Sequence, residues 1–325
     1  MEIYLNKGSV AALRQSFSVA KTTAKMSGES PVFHFFDFLC ANVFHGCSDN
    51  HYQNEGFYKL RSFDRKNTVT KGRKRRICSL FNDGNYTDTF SNKVHFNEVF
   101  NKFIRRDWVG TKQSAKEQLS TFIKEHEMII VKPLNLNKGK GIHLLDKTRP
   151  LEIIVDELME KDWLLEDFIV QHPNMQFENK SVNTIRIISV LDRAGNTHII
   201  KAGLRCGVGG AIVDNFSAGG VFYPLNLKNG FIEGYGEADG HLLYDGKHPG
   251  TNITMLGHQI PYWDKVLETI NEAAKIVPQV RYVGWDVAIL PDGVELIEGN
   301  NGPGCTLLEC FGAKRGFYKE ILSYK

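Results

Sequence analysis

Apolar positions fall into two regimes along this chain. From residue 91 onward they recur as short runs that alternate between strand and helix periods. Glu127-Met-Ile-Ile-Val-Lys-Pro predicts a buried strand that stops at Pro133. A polar, glycine-bearing loop follows, Asn135-Leu-Asn-Lys-Gly-Lys-Gly141, and then a short strand over 142–145. Residues 150–161 have helical spacing, with Pro150 at the start and Leu151, Ile154, Val155 and Leu158 on one face. Residues 163–170 predict a strand. Strands over 183–191 and 197–208 are joined by Asp192-Arg-Ala-Gly-Asn196, the composition of a hairpin turn. An amphipathic helix is expected over 262–277, and a last hairpin over 282–290 and 294–300 around Pro291-Asp292-Gly293.

Residues 1–90 differ. They hold an aromatic cluster (Phe33, Phe35, Phe36, Phe38) and a basic run over 61–76, with no clear alternation of strand and helix. The whole reads as an α+β chain with antiparallel sheets dominant late. It carries no GxGxxG after a first strand, so a doubly wound nucleotide fold is not expected.

Composition narrows the picture further. At 325 residues, 42% hydrophobic and 24% charged, the chain has enough apolar content for a sizeable core, and wholesale disorder is excluded. The net charge of +3, from 40 basic and 37 acidic residues, argues against a nucleic-acid partner. The run Lys71-Gly72-Arg73-Lys74-Arg75-Arg76 has the composition of a nucleic-acid or targeting segment, or of a holder of anionic substrate, and the near-neutral balance favours a solvated face or loop. The 30 glycines gather in the second half, where backbone would approach a ligand closely. The opening residues show no signal-peptide pattern, and the apolar stretch over 31–46 is broken by His34, Asp37, Asn42 and His45, so no membrane span is expected. Six cysteines without metal-ligand spacing suggest reduced thiols in a cytoplasmic protein.

The chemistry-bearing residues cluster. If Pro291, Asp292 and Gly293 make a three-residue loop, Leu290 faces Val294 and Asp286 falls opposite Glu298, with Asn300 on the same face. Like charges opposite each other destabilise a sheet, and a shared Mg²⁺ would offset that. Two surface carboxylates flanking an ordinary hairpin are the plainer alternative. Lys132 ends an apolar strand, and the loop that follows could present backbone N–H groups to phosphate, although it is not a Walker A loop. Glu166-Asp-Phe-Ile169 ends a strand and joins the two halves. Arg186 and Arg205 interrupt apolar strands; an inward arginine there needs a phosphate or carboxylate partner, and outward solvent exposure is the alternative.

The ordered set of Val131-Lys132-Pro, Lys138-Gly-Lys-Gly141, Leu165-Glu166-Asp-Phe-Ile169, Asn183-Thr-Ile-Arg186, Arg205, Asp214-Asn215, Asp286 and Glu298-Gly-Asn300 resembles the ATP-grasp superfamily over roughly residues 90–312. It is most similar to the sugar-transfer-associated group, akin to glutamate ligases and linked to surface-polysaccharide biosynthesis. The resemblance implies two α+β subdomains, 91–180 and 181–325, sandwiching ATP behind an atypical, substrate-binding region 1–90. It implies that Lys93 and Lys132 touch the ATP phosphates. Lys138, Gly139, Lys140 and Gly141 would close over them, and Glu166, Asp167, Phe168 and Ile169 would form the adenine hinge. Asp286, Glu298 and Asn300 would hold two Mg²⁺ (or Mn²⁺) ions. Arg186, Arg205 and Asn215 would stabilise and position the transferred phosphoryl group.

The implied reaction joins a small-molecule carboxylate to an amine through an acylphosphate. A kinase acting on a hydroxyl is the alternative, and a non-catalytic nucleotide-binding protein a third. Oligomeric state is not written in the sequence.

Overall fold

The computed structural model describes residues 9–134, 141–177, 181–208, 220–238, 242–251, 253–304 and 316–325. Two antiparallel sheets organise the chain. The first contains β1 (Trp108–Gly110), β2 (Ile129–Pro133), β3 (His143–Leu144) and β4 (Trp163–Asp167) in the order β1-β4-β2-β3. Helices Lys116–Glu125 and Leu151–Met159 cover it. Their buried residues, Leu119, Phe122 and Ile123 on one and Ile154, Val155 and Leu158 on the other, meet Ile129, Val131 and Leu165. The i, i+3, i+4 spacing makes each helix one-sided, so only a single stripe is buried.

The second sheet has β5 (Thr184–Leu191), β6 (Thr197–Cys206), β7 (Val221–Pro224), β8 (Gly236–Ala238), β9 (Leu242–Tyr244), β10 (Tyr282–Leu290) and β11 (Gly293–Asn300). Their order is β11-β10-β5-β6-β7-β8-β9. Both faces of its central strands are used, which is why β5 and β10 read as nearly continuous apolar runs. One face carries Ile185, Ile187, Leu204, Trp285 and Val287 into the main core, against Phe96 and Phe100 and helix Trp263–Ala273. The other face is divided along its length. At one end Ile188, Val190 and Tyr282 lie under helices Lys71–Phe81 and Tyr318–Ser323. At the other end it turns charged.

The N-terminal region is helical, a feature the sequence pattern did not display. Helix Pro31–His45 follows Ser30, whose hydroxyl accepts from the Val32 N–H, and ends at Gly46 in the left-handed region at φ 63°. Gly46 packs directly on Gly72; a Cβ on either would lie 2.8 Å from the Cα of the other. The basic run is therefore not a loop. It forms helices Ser62–Asn67 and Lys71–Phe81, and two of its arginines point inward: Arg65 pairs with Asp37 and Arg73 lies over the Tyr318 ring. Those two stems are partly buried, while Arg61, Lys66, Lys71, Arg75 and Arg76 are exposed and form the expected solvated face.

Candidate active site

The charged end of the second sheet is built on the β10–β11 hairpin. Its turn is one residue shorter than the turn chemistry suggested. Leu290 faces Gly293, and Ile289 faces Val294. Continued regularly, that register would slide Glu298 past Asp286. A bulge between Val287 and Asp286 absorbs the difference: Val287 pairs with Leu296, but Asp286 pairs with Glu298 and Gly284 with Asn300. Ile297 is the extra residue. Bulges of this kind re-aim side chains. Here the bulge puts Glu295, three residues before Glu298, on the same face as Glu298, where strict alternation would have turned it away.

Cross-strand pairing brings the arginines to that face. Asp286 lies opposite Arg186, Arg186 opposite Gly203, and Arg205 is two residues further along β6. Arg186 grips Asp286 with two prongs, Nε at 2.6 Å from Oδ1 and Nη2 at 2.8 Å from Oδ2. Arg205 Nη1 donates to both oxygens at 3.1 Å. Asp286 is only 3% exposed. The charge of Asp286 is thus offset within the protein by two guanidiniums. Glu298 accepts from Asn300 Nδ2 at 3.1 Å. Burial pushes its carboxyl up, but Arg186, the Asp286 and Asn300 side chains and Arg205 together hold it below its ordinary value.

A second cluster stands between the two sheets. Lys93 is the first residue of helix Lys93–Val99, where Asn92 caps the N–H groups of Val94 and His95. Its Nζ reaches the Pro133 carbonyl at 3.2 Å, beside Lys132 at the end of β2. Burial lowers its pKa; Lys132 adds to that, while Glu298 and Glu166 oppose it. Glu166 is 2% exposed and pairs with Lys132. It also accepts from Arg106 Nη2 at 2.7 Å and Asn97 Nδ2 at 3.1 Å. Burial pushes its carboxyl up, yet Arg106 and Lys132 hold it well below the usual carboxylate range.

The Glu166 carboxylate therefore faces Lys132 and a buried guanidinium. Sequence reasoning missed Arg106, Asn97 and Glu295. Arg106 pairs with Glu295 on β11 as well as with Glu166 on β4. The Glu295 side chain also accepts from the backbone N–H groups of Arg105 and Arg106, each at 3.1 Å. The available signal was a lone arginine pair after an aromatic helix, which names no partner by itself.

The segment that leaves β4 links the sheets. Asp167 N–H donates to the Asp107 carbonyl at 2.9 Å and Phe168 N–H to the Met128 carbonyl at 3.1 Å. By His172 the backbone already donates to the Ile289 carbonyl on β10, at 2.8 Å. Phe168 and Ile169 are half-buried in this crossing. Gly141 closes the glycine loop in the left-handed region at φ 75°. Lys138, Gly139, Lys140 and Asn215 lie outside the described residues.

The donor set at the hairpin is two facing carboxylates and an amide on one face. Hard oxygen donors of that kind suit Mg²⁺, provided the Asn300 amide turns its oxygen inward. Mg²⁺ held by one or two carboxylates completes its shell with phosphate and water.

Residues 72–314 match the family model described as sugar-transfer associated ATP-grasp. Similar solved structures include the ATP-grasp ligase PsnB complexed with minimal precursor, Mg and ADP, at 15% identity and TM-score 0.42 over 69% of this chain and 54% of that one. N5-carboxyaminoimidazole ribonucleotide synthetase from Thermus thermophilus is similar at 10% identity and TM-score 0.48, covering 77% and 57%. D-alanyl-alanine synthetase A from Vibrio cholerae is similar at 14% identity and TM-score 0.42, covering 72% and 63%. The chain spans just over half the length of PsnB. No curated protein matches it.

Proposed function

The chain belongs to the sugar-transfer associated ATP-grasp family, and from that premise we propose that it is a Mg-ATP-dependent ligase that joins a carboxylate to an amine. The observation that carries this reading is the single face on which Asp286, Glu298, Asn300, Arg186 and Arg205 meet, with Lys93 and Lys132 close by.

Phosphoryl transfer asks a protein for positioning and charge neutralisation more than for covalent help. In this proposal Lys93 and Lys132 bind the ATP phosphates, and Glu166 orients Lys132 from behind. Asp286, Glu298 and Asn300 would hold Mg²⁺, which neutralises phosphate charge. Arg186 and Arg205 take up charge on the transferred group, already aligned by their shared carboxylate. An oxygen of the substrate carboxylate attacks the γ-phosphorus; that O–P bond forms as the bond to the ADP oxygen breaks. The amine then attacks the acyl carbon, a C–N bond forms, phosphate leaves, and the amine's proton passes to solvent. The crossing at 167–169 forms the adenine hinge through its backbone, and the helical region 1–90 helps bind the carboxylate or the amine substrate. The family's description, sugar-transfer associated, supports a product used in polysaccharide assembly.

ADP release with Mg-ATP and hydroxylamine, across pools of amino acids, small peptides and sugar acids, tests this. ADP together with a hydroxamate supports the acylphosphate. ADP without hydroxamate in every active pool overturns it in favour of a kinase acting on a hydroxyl or of futile ATP hydrolysis.

A further inference from the structure

Helix Pro31–His45 is apolar on its outward face as well as at Phe38 and Ala41, which are buried against the protein. Its polar side chains face the protein, each with a partner. His34 is fully buried between Ser27 Oγ at 2.7 Å and Tyr52 OH at 3.1 Å. Asp37 takes Arg65 and Tyr52 OH, the latter at 2.7 Å. Asn42 donates to the Cys47 carbonyl at 2.8 Å, and His45 meets Arg73 at 2.7 Å. The outward face is apolar. Val32, Phe33, Phe36, Val43 and Phe44 are 62, 51, 61, 53 and 74% exposed. Leu13 and Phe17, on the packed helix Ser9–Ser27, extend the patch at 52 and 49%. A surface helix in water normally shows the reverse arrangement, and a contiguous apolar patch on this scale marks an interaction surface.

The charge beside the patch distinguishes its occupants. The exposed stripe of the first helix next to Phe17 carries Arg14, Lys21 and Lys25, with Lys21 lying over the Phe17 ring at 5.0 Å. Neither helix exposes an acidic side chain: the first has none, and the Asp37 of the second is consumed by Arg65. In the turn between them Glu29 is exposed, with its carboxylate 3.2 Å from His34 Nε2, so a second copy docking through this face would bring the three basic side chains of an identical border against that one carboxylate. A phenylalanine-rich apolar face with a lysine and arginine border is instead the make-up of an interfacial segment on anionic lipid. Among the described residues no helix is long and apolar enough to cross a membrane, so the contact would lie in the headgroup plane.

We propose that this helical pair seats the protein on an anionic bilayer surface, with the phenylalanines in the acyl boundary and Arg14, Lys21 and Lys25 at the headgroups. The test is co-sedimentation of the full chain with phosphatidylcholine vesicles, with and without phosphatidylglycerol. Binding is expected to the anionic vesicles and to fall away in high salt. Phe36→Ser with Phe44→Ser, both solvent-facing and so tolerated by the fold, should abolish it. Lys21→Gln with Lys25→Gln should weaken it about thirtyfold, at about fivefold per basic residue near the surface. Absence of binding to anionic vesicles overturns the proposal, as does binding that the phenylalanine pair does not change. Concentration-dependent dimerisation lost in that pair, with no vesicle binding, would overturn it in favour of a contact between copies.

Discussion

Asp286 and Glu298 are equivalent in the sequence and unlike in the fold. Asp286 is the shared anchor of Arg186 and Arg205, whereas Glu298 meets the Asn300 amide and the Asp286 side chain and feels the arginines only through their charge. Like charge on one face, taken alone, predicts that neutralising either carboxylate leaves the apo fold intact. The arginines revise that for Asp286. Asp286→Asn should cost about 3 kcal/mol, since it removes the anion from a buried ionic cluster and leaves the cations. Glu298→Gln should leave the urea midpoint close to the parent. Both should lose ATP turnover, measured as ADP release. Equal stability of the two variants would show that Asp286 does not anchor the arginines, and full activity in both would remove them from the proposed metal site. Lys132→Ala should weaken ATP binding about tenfold or more, the worth of a hydrogen bond to a charged group. An unchanged Kd by calorimetry would count against its phosphate role.

At the scale of elements, what the sequence made legible followed from local period. The strands at 129–133, 184–191 and 282–290 and the helices at 151–159 and 263–273 stand near their expected places because burial of one stripe or of both faces writes itself into the sequence. The bulge at Ile297 was not legible. It arises from the mismatch between a two-residue turn and the register of the strands, and no residue between Leu296 and Glu298 announces it. Helix Pro31–His45 was hidden for another reason: apolar residues on both its faces erase the 3.6-residue period. Strands of three or four residues, such as β1 and β7, offer too few alternations to be seen. Gly203 shows what packing adds beyond pattern. It faces Arg186 across the β5–β6 ladder, and a Cβ there would sit 1.7 Å from Phe222 Cζ. Gly203→Ala should therefore destabilise by about 1–3 kcal/mol through overpacking. Adding Phe222→Leu should cost less than the sum of the two single changes, because the residues share one contact. Strict additivity of the urea midpoints would refute that account.

At the scale of the whole molecule, Arg106 ties the two sheets together. Its guanidinium reaches Glu166 on β4 and Glu295 on β11, and it donates to the Leu296 carbonyl at 2.9 Å. No local pattern could have revealed this, since the partners are 60 and 189 residues away. The link also gives the fold a pH signature. Glu166 is held below its ordinary range, so the folded chain keeps it ionised where the unfolded chain takes up a proton. A depressed carboxylate contributes stability that is complete above the unfolded value of about 4.3 and is lost as pH falls toward the folded one. Between about pH 7 and pH 5 the Glu166 contribution should be flat, and below about pH 4.3 it should decline. In Glu166→Gln the buried Arg106 and the half-buried Lys132 keep their places without that charge, so the variant should be less stable at neutral pH by several kcal/mol. The gap between the parent and the variant should then narrow as both are acidified, because the parent alone has this proton to gain. Urea midpoints of the two chains along the same pH series read that gap directly. A gap that stays constant into acid would mean that Glu166 is not the ionised partner of Arg106, and the bond between the sheets would have to rest on Glu295.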